Sequence, residues 1–357
     1  MREEADANMG EKTDIEGKKD IQSMNLQELT QFVEELGEKK FRAKQLYQWM
    51  HQKLVTDFKQ MTNLSEKFRS VLAENSELHT IRVIQQQTSR DGTTKFLMEL
   101  SDGNAVESVL MKYHHGNSVC ISTQVGCCMG CRFCASTVGG LHRNLRTSEM
   151  LEQVYEIQRI SGERVSNVIL MGIGEPLDNY DNVIQFIRMI SGEEGLHISQ
   201  RNLTISTCGL VEQIQRLMQE DLTITLAISL HAPNDALRQE MMPVAKRYSI
   251  SQIIEVCREY IAHTNRRITF EYSLIEGKND SLEHAEELAR CLHGLNCHVN
   301  LIPLNPVRGR MGERSNRKNV LDFQAGLEKH HINATIRREM GSDIDAACGQ
   351  LRNKSQT

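Results

Sequence analysis

Four cysteines stand close together in the stretch GCCMGCRFCAST, and their spacing is suited to metal chemistry. Cys127, Cys131 and Cys134 follow the pattern C-x3-C-x2-C, while Cys128 lies outside it. Three thiolates on one short loop can bind three corners of a [4Fe–4S] cluster and leave one iron open to another ligand. A structural zinc site usually has four protein ligands, and Cys128 or His142 would have to supply the fourth. The spacing therefore favours a cluster and leaves zinc, or cysteines that serve only as core residues, as the alternatives.

Composition restricts the setting in which these thiols work. The chain has 357 residues, ten cysteines and a formal net charge of −5. Its sequence has no apolar run long enough to span a bilayer, and it opens with a polar stretch rather than a signal peptide. We therefore expect a cytoplasmic protein with reduced thiols that serve metal binding or catalysis. Residues 1–24 are predicted to form a disordered tail, and a nucleic acid would have to bind a local basic patch.

Helical and alternating patterns precede the cysteines. Residues 25–78 carry apolar side chains at helical spacing in NLQELTQFVEELG and KKFRAKQLYQWMHQKL, which predicts a small helical domain. The segments TIRVIQQQTS, TTKFLMELSD and AVESVLMKYH follow, joined by the turn sequences SRDGTT and SDGN. Their alternation predicts a short antiparallel β segment that links the helical domain to the rest, over residues 79–115.

From residue 116 onward, apolar strand-like runs alternate with helical patterns. The runs are VCIST, NVILM, LTIS, TITLAIS, ITFEYS, VNLIP and ATIRR. Repeated βα units of this kind predict a parallel sheet, and we expect a partial (β/α)6-type TIM barrel over residues 116–345. Residues 346–357 form a C-terminal segment. The predicted fold class is therefore α/β, with its chemistry on the loops that follow the strands.

Polar residues follow successive predicted strands, which is where a barrel places its active site. The second strand leads into MGIGEP, in which the glycines allow close backbone approach and Glu175 supplies a carboxylate. Later strand ends offer hydroxyl, imidazole and amide groups at Ser206, Ser229, His231 and Asn305. Each of these residues taken alone is explained as an ordinary loop or cap residue. Together with the cysteine loop after the first strand, these make five polar clusters at strand ends, which predict one ligand site.

Several motifs together resemble one protein family. The similar segments are VESVLM, VCISTQVGC, MGIGEPLDN, STCGLV, ISLHAPND, VNLIPLNPV and GSDIDAACGQL. They resemble the RlmN/Cfr family of radical S-adenosylmethionine (SAM) RNA adenine methyltransferases, over residues 26–351. Pro176 and Val125 are similar to the RlmN branch, which methylates adenine C2, rather than to the Cfr branch, which methylates C8. The segment LGEKKFRAKQLYQWM resembles the helix-hairpin-helix-like RNA-binding accessory domain of the RlmN branch.

The resemblance implies two cofactors and a role for each site residue. A [4Fe–4S] cluster would be held by Cys127, Cys131 and Cys134, and its open iron would bind SAM. The implied SAM-binding residues are Gly174, Glu175, Ser206, Ser229, Leu230, His231 and Asn305. The implied catalytic residues are a methyl carrier, a thiol that resolves a protein–RNA adduct by forming a disulfide, and a proton acceptor, namely Cys348, Cys120 and Glu107.

The resemblance also implies partners. The substrates would be an adenine in the peptidyl-transferase region of 23S rRNA and the adenine 3′ of the anticodon in some tRNAs. An electron donor such as flavodoxin or ferredoxin would reduce the cluster, and the protein would be a monomer without membrane association. The basic stretches HRNLR, VRGRMGERSNRK and Arg337–Arg338 would contact phosphates. A Cfr-type C8 methyltransferase, another radical SAM enzyme and a non-catalytic zinc module that binds RNA remain as alternatives.

Overall fold

The computed structural model describes residues 17–114 and 116–351. These residues fall into two compact units. The first contains the described residues up to Thr80 together with Arg188–His197, and the second contains Ile81–Ile187 and the described residues from Ile198 onward. No helix in the described ranges combines the length and apolar character that a membrane span requires.

The first unit contains three α-helices and a small parallel sheet. The helices are α1 (Leu26–Glu35), α2 (Phe41–His51) and α3 (Glu66–Asn75), and the strands are β1 (Lys19–Asp20) and β2 (Ser76–Glu77). Helix α1 begins at a capping box, in which the Asn25 side chain accepts hydrogen bonds from the backbone of Gln27 and Glu28. The Glu28 side chain accepts a hydrogen bond from the Asn25 backbone in return.

Residues 19–24 differ from the predicted disordered tail. Lys19 and Asp20 form β1, which pairs with β2, and Ile21 is completely buried. The prediction is therefore wrong for these residues, whereas residues 1–16 lie outside the described part of the chain. The error has a physical reason: the partner strand follows α3, and a strand of two residues has no periodicity of its own to detect.

His51 makes the stability of the first unit sensitive to acid. Its side chain is fully buried at the end of α2, and burial lowers its pKa to about 3 although Asp20 opposes the shift. Between this value and the ordinary 6.5, the unfolded chain binds a proton that the folded chain does not. The contribution of this histidine to the free energy of unfolding is therefore fully present above pH 6.5. Below that pH it should fall by about 1.4 kcal/mol per pH unit.

Denaturant unfolding from about pH 7 to about pH 4 tests this expectation. The free energy of unfolding of the His51→Gln variant should fall less steeply with decreasing pH than that of the unaltered protein. The difference between the two slopes should correspond to one bound proton. Acidic groups elsewhere in the chain contribute equally to both proteins and cancel in the comparison. Parallel slopes in the two proteins would show that His51 does not titrate as its burial implies.

The second unit is built on one large sheet, connected by helices. Its strands are β3 (Arg82–Thr88), β4 (Thr94–Glu99), β5 (Ala105–Tyr113), β6 (Gly116–Cys120), β7 (Gln124–Gly126), β8 (Leu141–Asn144), β9 (Val165–Leu170), β10 (Leu203–Thr207), β11 (Thr225–Ser229), β12 (Ile268–Leu274), β13 (Cys297–Pro303) and β14 (Ala334–Ile336). The remaining helices are α4 (Thr147–Ser161), α5 (Tyr180–Ser191), α6 (Val211–Met218), α7 (Asp235–Met241), α8 (Ile250–Thr264), α9 (Leu282–Leu292) and α10 (Arg317–Lys329). Helix α5 ends in the part of the chain that belongs to the first unit.

Ten of these strands form a single sheet in the order β14-β13-β12-β11-β10-β9-β6-β5-β4-β3. The strands from β14 to β6 pair in parallel, and β5, β4 and β3 continue the sheet in antiparallel fashion. Over the described residues, β14 and β3 are the two edges, so the sheet does not close on itself. The predicted α/β fold with parallel βα units is confirmed.

The antiparallel strands correct one predicted boundary. Strand β5 pairs with β6, with Val109 opposite Cys120, so β3–β5 belong to the same sheet as the parallel strands. The predicted division between a linker and a barrel at residues 115–116 is therefore wrong, because it falls between two paired strands. Alternation identifies a strand but does not state which sheet it joins.

Candidate active site

A cavity lies at the carboxyl ends of the parallel strands and is here called the main cavity. Its volume, including space open to solvent, is about 960 Å³. Residues at or near the ends of β9, β10, β11, β12 and β13 line it, together with residues of the cysteine loop and the C-terminal segment. Parallel strands all end at the same edge of a sheet, so residues far apart in sequence meet here.

The cysteine loop contributes one wall of the main cavity. It connects β7 and β8, which pair antiparallel as a two-stranded ribbon. Cys127, Cys131 and Cys134 all line the cavity, whereas Cys128 is exposed and is not part of its wall. Among the described residues, no three His, Cys, Asp or Glu side chains converge closely enough to hold a single metal ion. The three cysteines instead line the same cavity.

Hydrogen bonds from several elements hold the cysteine loop. The backbone N–H of Cys127 donates to Gly140 O at 3.0 Å across the ribbon. Arg310 donates from Nη2 to Cys131 O at 2.7 Å, although this arginine belongs to the stretch predicted to contact RNA. The chain therefore uses Arg310 to position the loop.

Burial keeps the three loop thiols protonated in the absence of a metal. It raises the pKa of Cys127 to about 12 and raises the pKa values of Cys131 and Cys134 as well. The Glu175 carboxylate adds to this effect on Cys127 and Cys131, because nearby negative charge disfavours a thiolate. Ligation of a metal centre by these residues would release their protons.

The glycines after β9 allow the GIGEP loop to approach the segment that leads from β6 into β7. A Cβ added to Gly172 would lie 2.6 Å from Ile121 O, so no side chain fits there. Gly174 has a φ of +111°, and a Cβ at this position would lie 2.6 Å from Gln124 Cβ. Both glycines line the main cavity, and their lack of side chains brings the backbone to its wall.

Glu175 is a buried carboxylate at the end of the same loop. It is 4 % exposed, and it accepts hydrogen bonds from Cys208 N at 2.8 Å and Leu177 N at 3.1 Å. Burial raises the pKa of Glu175, and these backbone donors partly offset the rise by stabilising the charged form. Glu175 lines the main cavity, where its position suits it to receive a positively charged ligand group.

Strand ends β10 and β11 supply two hydroxyls and an imidazole to the main cavity. Ser206 Oγ and Ser229 Oγ lie 3.3 Å apart in its wall. His231 Nδ1 accepts a hydrogen bond from Ser273 N at 3.0 Å, so Nε2 carries the ring proton. Burial lowers the pKa of His231 to about 3, with a contribution from the positive charge of Arg238. His231 is thus a neutral hydrogen-bond donor.

A second cavity, here called the thiol cavity, adjoins the main cavity and has a volume of about 550 Å³. Cys120, at the end of β6, lines the thiol cavity, and Cys348 lines both cavities. Both thiols are free. Asn305 also lines both cavities. The structure therefore brings the two thiols that the family resemblance singles out to one place, although they lie near opposite ends of the barrel sequence.

Arg337 supplies positive charge beside these two thiols. It lines both cavities, and its Nη1 lies 3.8 Å from Met171 Sδ. Cys348 is the largest cause of the raised pKa of Arg337. Glu271 and Cys120 raise this pKa further, whereas burial lowers it. Burial raises the pKa of Cys120 to about 12, and Arg337 opposes this rise. Arg337 thus lies in the walls of both cavities, and its contact with phosphate stays a prediction.

The C-terminal segment is attached to the cysteine loop by its own backbone. Ala135 N donates to Gly349 O at 2.7 Å, and Ser136 Oγ donates to Leu351 O at 2.7 Å. Lys95 Nζ, from β4, donates to Asp345 O at 3.0 Å. These hydrogen bonds determine where Cys348 lies relative to the loop.

Two predicted site residues do not reach a cavity wall. Glu107 is 1 % exposed and lies 3.4 Å from Lys95 Nζ, on the face of β5 that continues to Val109 in the thiol cavity. It is not among the described residues that line either cavity. Leu230 is fully buried, and only its backbone takes part, since its carbonyl accepts a hydrogen bond from Arg238 Nε at 3.2 Å.

The basic stretch HRNLR is also used inside the protein. Arg143 Nε lies 2.6 Å from Asp102 Oδ2, and its two terminal nitrogens each lie 2.8 Å from a Glu149 oxygen. A bidentate contact of this kind holds the guanidinium firmly. Arg143 is therefore a structural residue of this unit rather than a free phosphate ligand.

Sequence reasoning missed several residues of the main cavity, among them Glu271 and Cys208. Glu271 is 4 % exposed and accepts a hydrogen bond from Asn300 Nδ2 at 2.8 Å. An acidic residue inside the apolar run ITFEYS was the available signal, because a buried carboxylate requires a partner or a function. Cys208 had no such signal, since nothing in its neighbourhood repeats a ligand spacing.

Comparison with known proteins agrees with this geometry. Residues 19–78 match the model of the ribosomal RNA large subunit methyltransferase N-terminal domain, and residues 121–291 match the radical SAM superfamily. The chain is 59 % identical over 344 residues to the probable dual-specificity RNA methyltransferase RlmN of Lachnoclostridium phytofermentans, with 96 % of each chain covered. It is 60 % identical over 336 residues to the protein of the same name from Lachnospira eligens, with 94 % of this chain and 96 % of the relative covered.

A solved structure shows the same fold over nearly the whole chain. The radical SAM methyltransferase from Sphaerobacter thermophilus is 42 % identical and superposes with a TM-score of 0.90, covering 94 % of this chain and 99 % of its own. The predicted family resemblance is confirmed by this match together with the identity to curated relatives. The chain therefore belongs to the RlmN family of radical SAM RNA methyltransferases, whose members use a [4Fe–4S] cluster and SAM.

Proposed function

We propose that this chain methylates C2 of adenine in 23S rRNA and in some tRNAs, through a methyl group carried by Cys348. The observation that supports this proposal best is the position of Cys348. Cys348 lines the main cavity together with the three loop cysteines, and it also lines the thiol cavity together with Cys120. A thiol at this junction is accessible both to a methyl donor in the main cavity and to a second thiol.

Cys127, Cys131 and Cys134 are proposed to hold the cluster. Each ligand of a cubane cluster binds a different iron, so its thiols need to surround a volume rather than converge on a point. Their arrangement around the main cavity fits this requirement better than a mononuclear zinc site. When bound, the cluster and SAM supply the one-electron cleavage that yields a 5′-deoxyadenosyl radical.

The remaining polar residues of the main cavity are proposed to orient SAM. Glu175 would accept the ammonium group of SAM, because its carboxylate is already held by two backbone donors. His231 would donate from Nε2, since Nδ1 is occupied by Ser273 N. Ser206 and Ser229 would bind hydroxyl groups through their paired oxygens. Gly174 and Asn305 complete this set of contacts.

The two thiols are proposed to act in succession. Cys348 attacks the methyl carbon of SAM, so that a carbon–sulfur bond forms at Cys348 and the corresponding bond in SAM breaks. The S-methyl group would lose a hydrogen atom to the 5′-deoxyadenosyl radical, and the resulting carbon radical would form a bond to adenine C2. C2 would then lose its hydrogen as a proton, and one electron would leave to the external electron carrier. Cys120, as a thiolate, would attack the Cys348 sulfur, so that a sulfur–sulfur bond forms, the carbon–sulfur bond breaks and the released carbon takes up a proton. Cys120 must lose its own proton first, because burial raises its pKa to about 12. The role of Glu107 as a proton acceptor remains a prediction, and Glu107 would have to become accessible from the thiol cavity.

The proposed RNA substrates and the proposed methylated carbon of adenine rest on similarity to known proteins. The names of the relatives describe dual-specificity RNA methyltransferases, and the matched N-terminal family model names ribosomal RNA, which supports rRNA as one of two RNA substrates. The proposal of tRNA as the second substrate rests on the family resemblance. Pro176 and Val125 agree with C2 rather than C8 chemistry. The target base must leave its stack to enter the site, since C2 is an edge atom of adenine. A small acidic electron carrier such as flavodoxin or ferredoxin would supply the electron.

Mass spectrometry of the anaerobically purified chain tests the proposal. The peptide that contains Cys348 should carry an added methyl group after incubation with SAM, and peptides containing Cys291 or Cys297 should not. Nuclease digestion of modified 23S rRNA fragments should then yield 2-methyladenosine. Recovery of 8-methyladenosine would move the chain to the Cfr-type reaction, and an unmodified Cys348 in active protein would refute the carrier role.

A further inference from the structure

Arg238 is a buried cation that the reaction proposed above does not use. It lies in α7 and is 0 % exposed. Its guanidinium donates only to backbone carbonyls of the strand ends and loops around the main cavity, namely Cys208 O at 2.7 Å, Tyr248 O at 3.1 Å, Leu230 O at 3.2 Å and Ser229 O at 3.5 Å. These contacts engage all three nitrogens of the guanidinium but supply no negative charge.

A buried guanidinium without a counter-charge is unfavourable, so an anion is expected nearby. Within the described ranges, no carboxylate comes within ion-pairing distance of Arg238, and arginine keeps its proton in proteins. Burial lowers the pKa of Arg238, and the negative groups that oppose this are Cys208, Cys131 and Asp235. Cys131 is one of the three proposed cluster ligands. Asp235 is only half-buried, and its carboxylate accepts a hydrogen bond from Ile250 N at 2.7 Å.

The charge of Arg238 acts on the main cavity without contact. Arg238 is not among the described residues that line the cavity, so it is not positioned to touch SAM. Its charge nevertheless contributes to the lowered pKa of His231, which does line the cavity. In a buried region the field of a charge is weakly screened, so it extends to groups beyond hydrogen-bond distance.

We propose that Arg238 is a positioning residue whose positive charge offsets the negative charge of the cluster and favours the cluster's reduction. This inference rests on the proposed ligation by Cys127, Cys131 and Cys134. Three thiolates outweigh the positive charge of the oxidised cubane core, and one further electron from an external donor increases the negative charge.

The Arg238 guanidinium is hydrogen-bonded to Cys208 O and Ser229 O, and both of these residues line the main cavity. The same helix, α7, accepts a hydrogen bond at Met241 O from Arg132 N, next to Cys131, at 2.9 Å. A fixed cation held there stabilises the reduced form more than the oxidised form. Arg238 itself neither gains nor loses a proton or an electron.

The test is the midpoint potential of the reconstituted full-length protein, followed by electron paramagnetic resonance during titration with dithionite. Arg238→Gln removes the charge and should move the midpoint to more negative potential. Arg238→Lys keeps the charge and should stay close to the unaltered protein, although it disturbs the same carbonyl contacts. Asp235→Asn removes the neighbouring negative charge, keeps an acceptor for Ile250 N and should move the midpoint in the opposite direction.

Arg258→Gln is the matched control, because Arg258 is exposed and donates to His293 O at 3.2 Å in the same unit. Its midpoint should equal that of the unaltered protein. Equal shifts in Arg238→Gln and Arg238→Lys, or no shift in either Arg238→Gln or Asp235→Asn, would overturn the inference. If the glutamine variant does not assemble a cluster, Asp235→Asn still decides the outcome. Unaltered protein that binds no iron after reconstitution would instead refute the cluster ligation proposed above.

Discussion

Replacing Cys348 by alanine should abolish RNA methylation while SAM cleavage continues. The loss should be on the order of 10³-fold or more, because the variant lacks the only atom proposed to carry the methyl group. SAM cleavage should survive, since Cys127, Cys131, Cys134 and Glu175 are unaltered. The two reactions therefore separate in this variant, which a general loss of folding would not produce.

Methyl transfer to an rRNA fragment and formation of 5′-deoxyadenosine should be measured on the same reconstituted sample. Cys291→Ala is the matched control, because Cys291 is also half-buried but lies in α9, with its thiol 3.3 Å from Pro233 O. The control should retain both activities. Methylation by the Cys348→Ala protein at an appreciable fraction of the normal rate would exclude the carrier role.

The Cys120→Ala variant should stop after one turnover with RNA covalently attached to the protein. Cys348 could still receive the methyl group and join it to the base, but no second thiol would break the carbon–sulfur bond. Cys120 lines the thiol cavity next to Cys348, and in the described region it is the other cysteine of that wall. A band of protein–RNA adduct on a denaturing gel should therefore accumulate with labelled RNA.

Cys297→Ala provides the control for burial. Cys297 begins β13, and like Cys120 it is 6 % exposed, so both variants remove a similar buried thiol. Thermal unfolding should change by a similar amount in the two variants, but only Cys120→Ala should yield the adduct. Normal turnover in the Cys120→Ala protein would show that product release does not depend on this thiol.

Local patterns were sufficient for the parallel strands and for the three-cysteine loop. The runs LTIS and ITFEYS correspond to β10 and β12, because apolar residues at alternate positions indicate a strand. The loop cysteines lie within a few residues of one another, so their spacing limits their geometry before any folding is considered. Glu175 was found for the same reason, since the glycines beside it mark a close backbone approach.

Pairings between distant residues were not accessible to local patterns. The short strand β1 pairs with β2 from beyond three helices, and β5 joins the main sheet through β6. The basic stretches were predicted to contact RNA, but Arg143 and Arg310 form hydrogen bonds inside the protein. The sequence shows that a residue is charged. Only the folded structure shows whether another group of the protein already neutralises or binds that residue.

The sequence by itself determined the βα order, the cysteine spacing and, through its similarity, the family, because each of these depends on neighbours along the chain. Only the tertiary structure brought Cys348 to the junction of two cavities, placed Cys120 beside it and buried Arg238 without a carboxylate partner among the described residues. These arrangements depend on strand ends that meet at one edge of the sheet. Their distances and charges arise from packing between segments that are remote in sequence, and no local pattern encodes them.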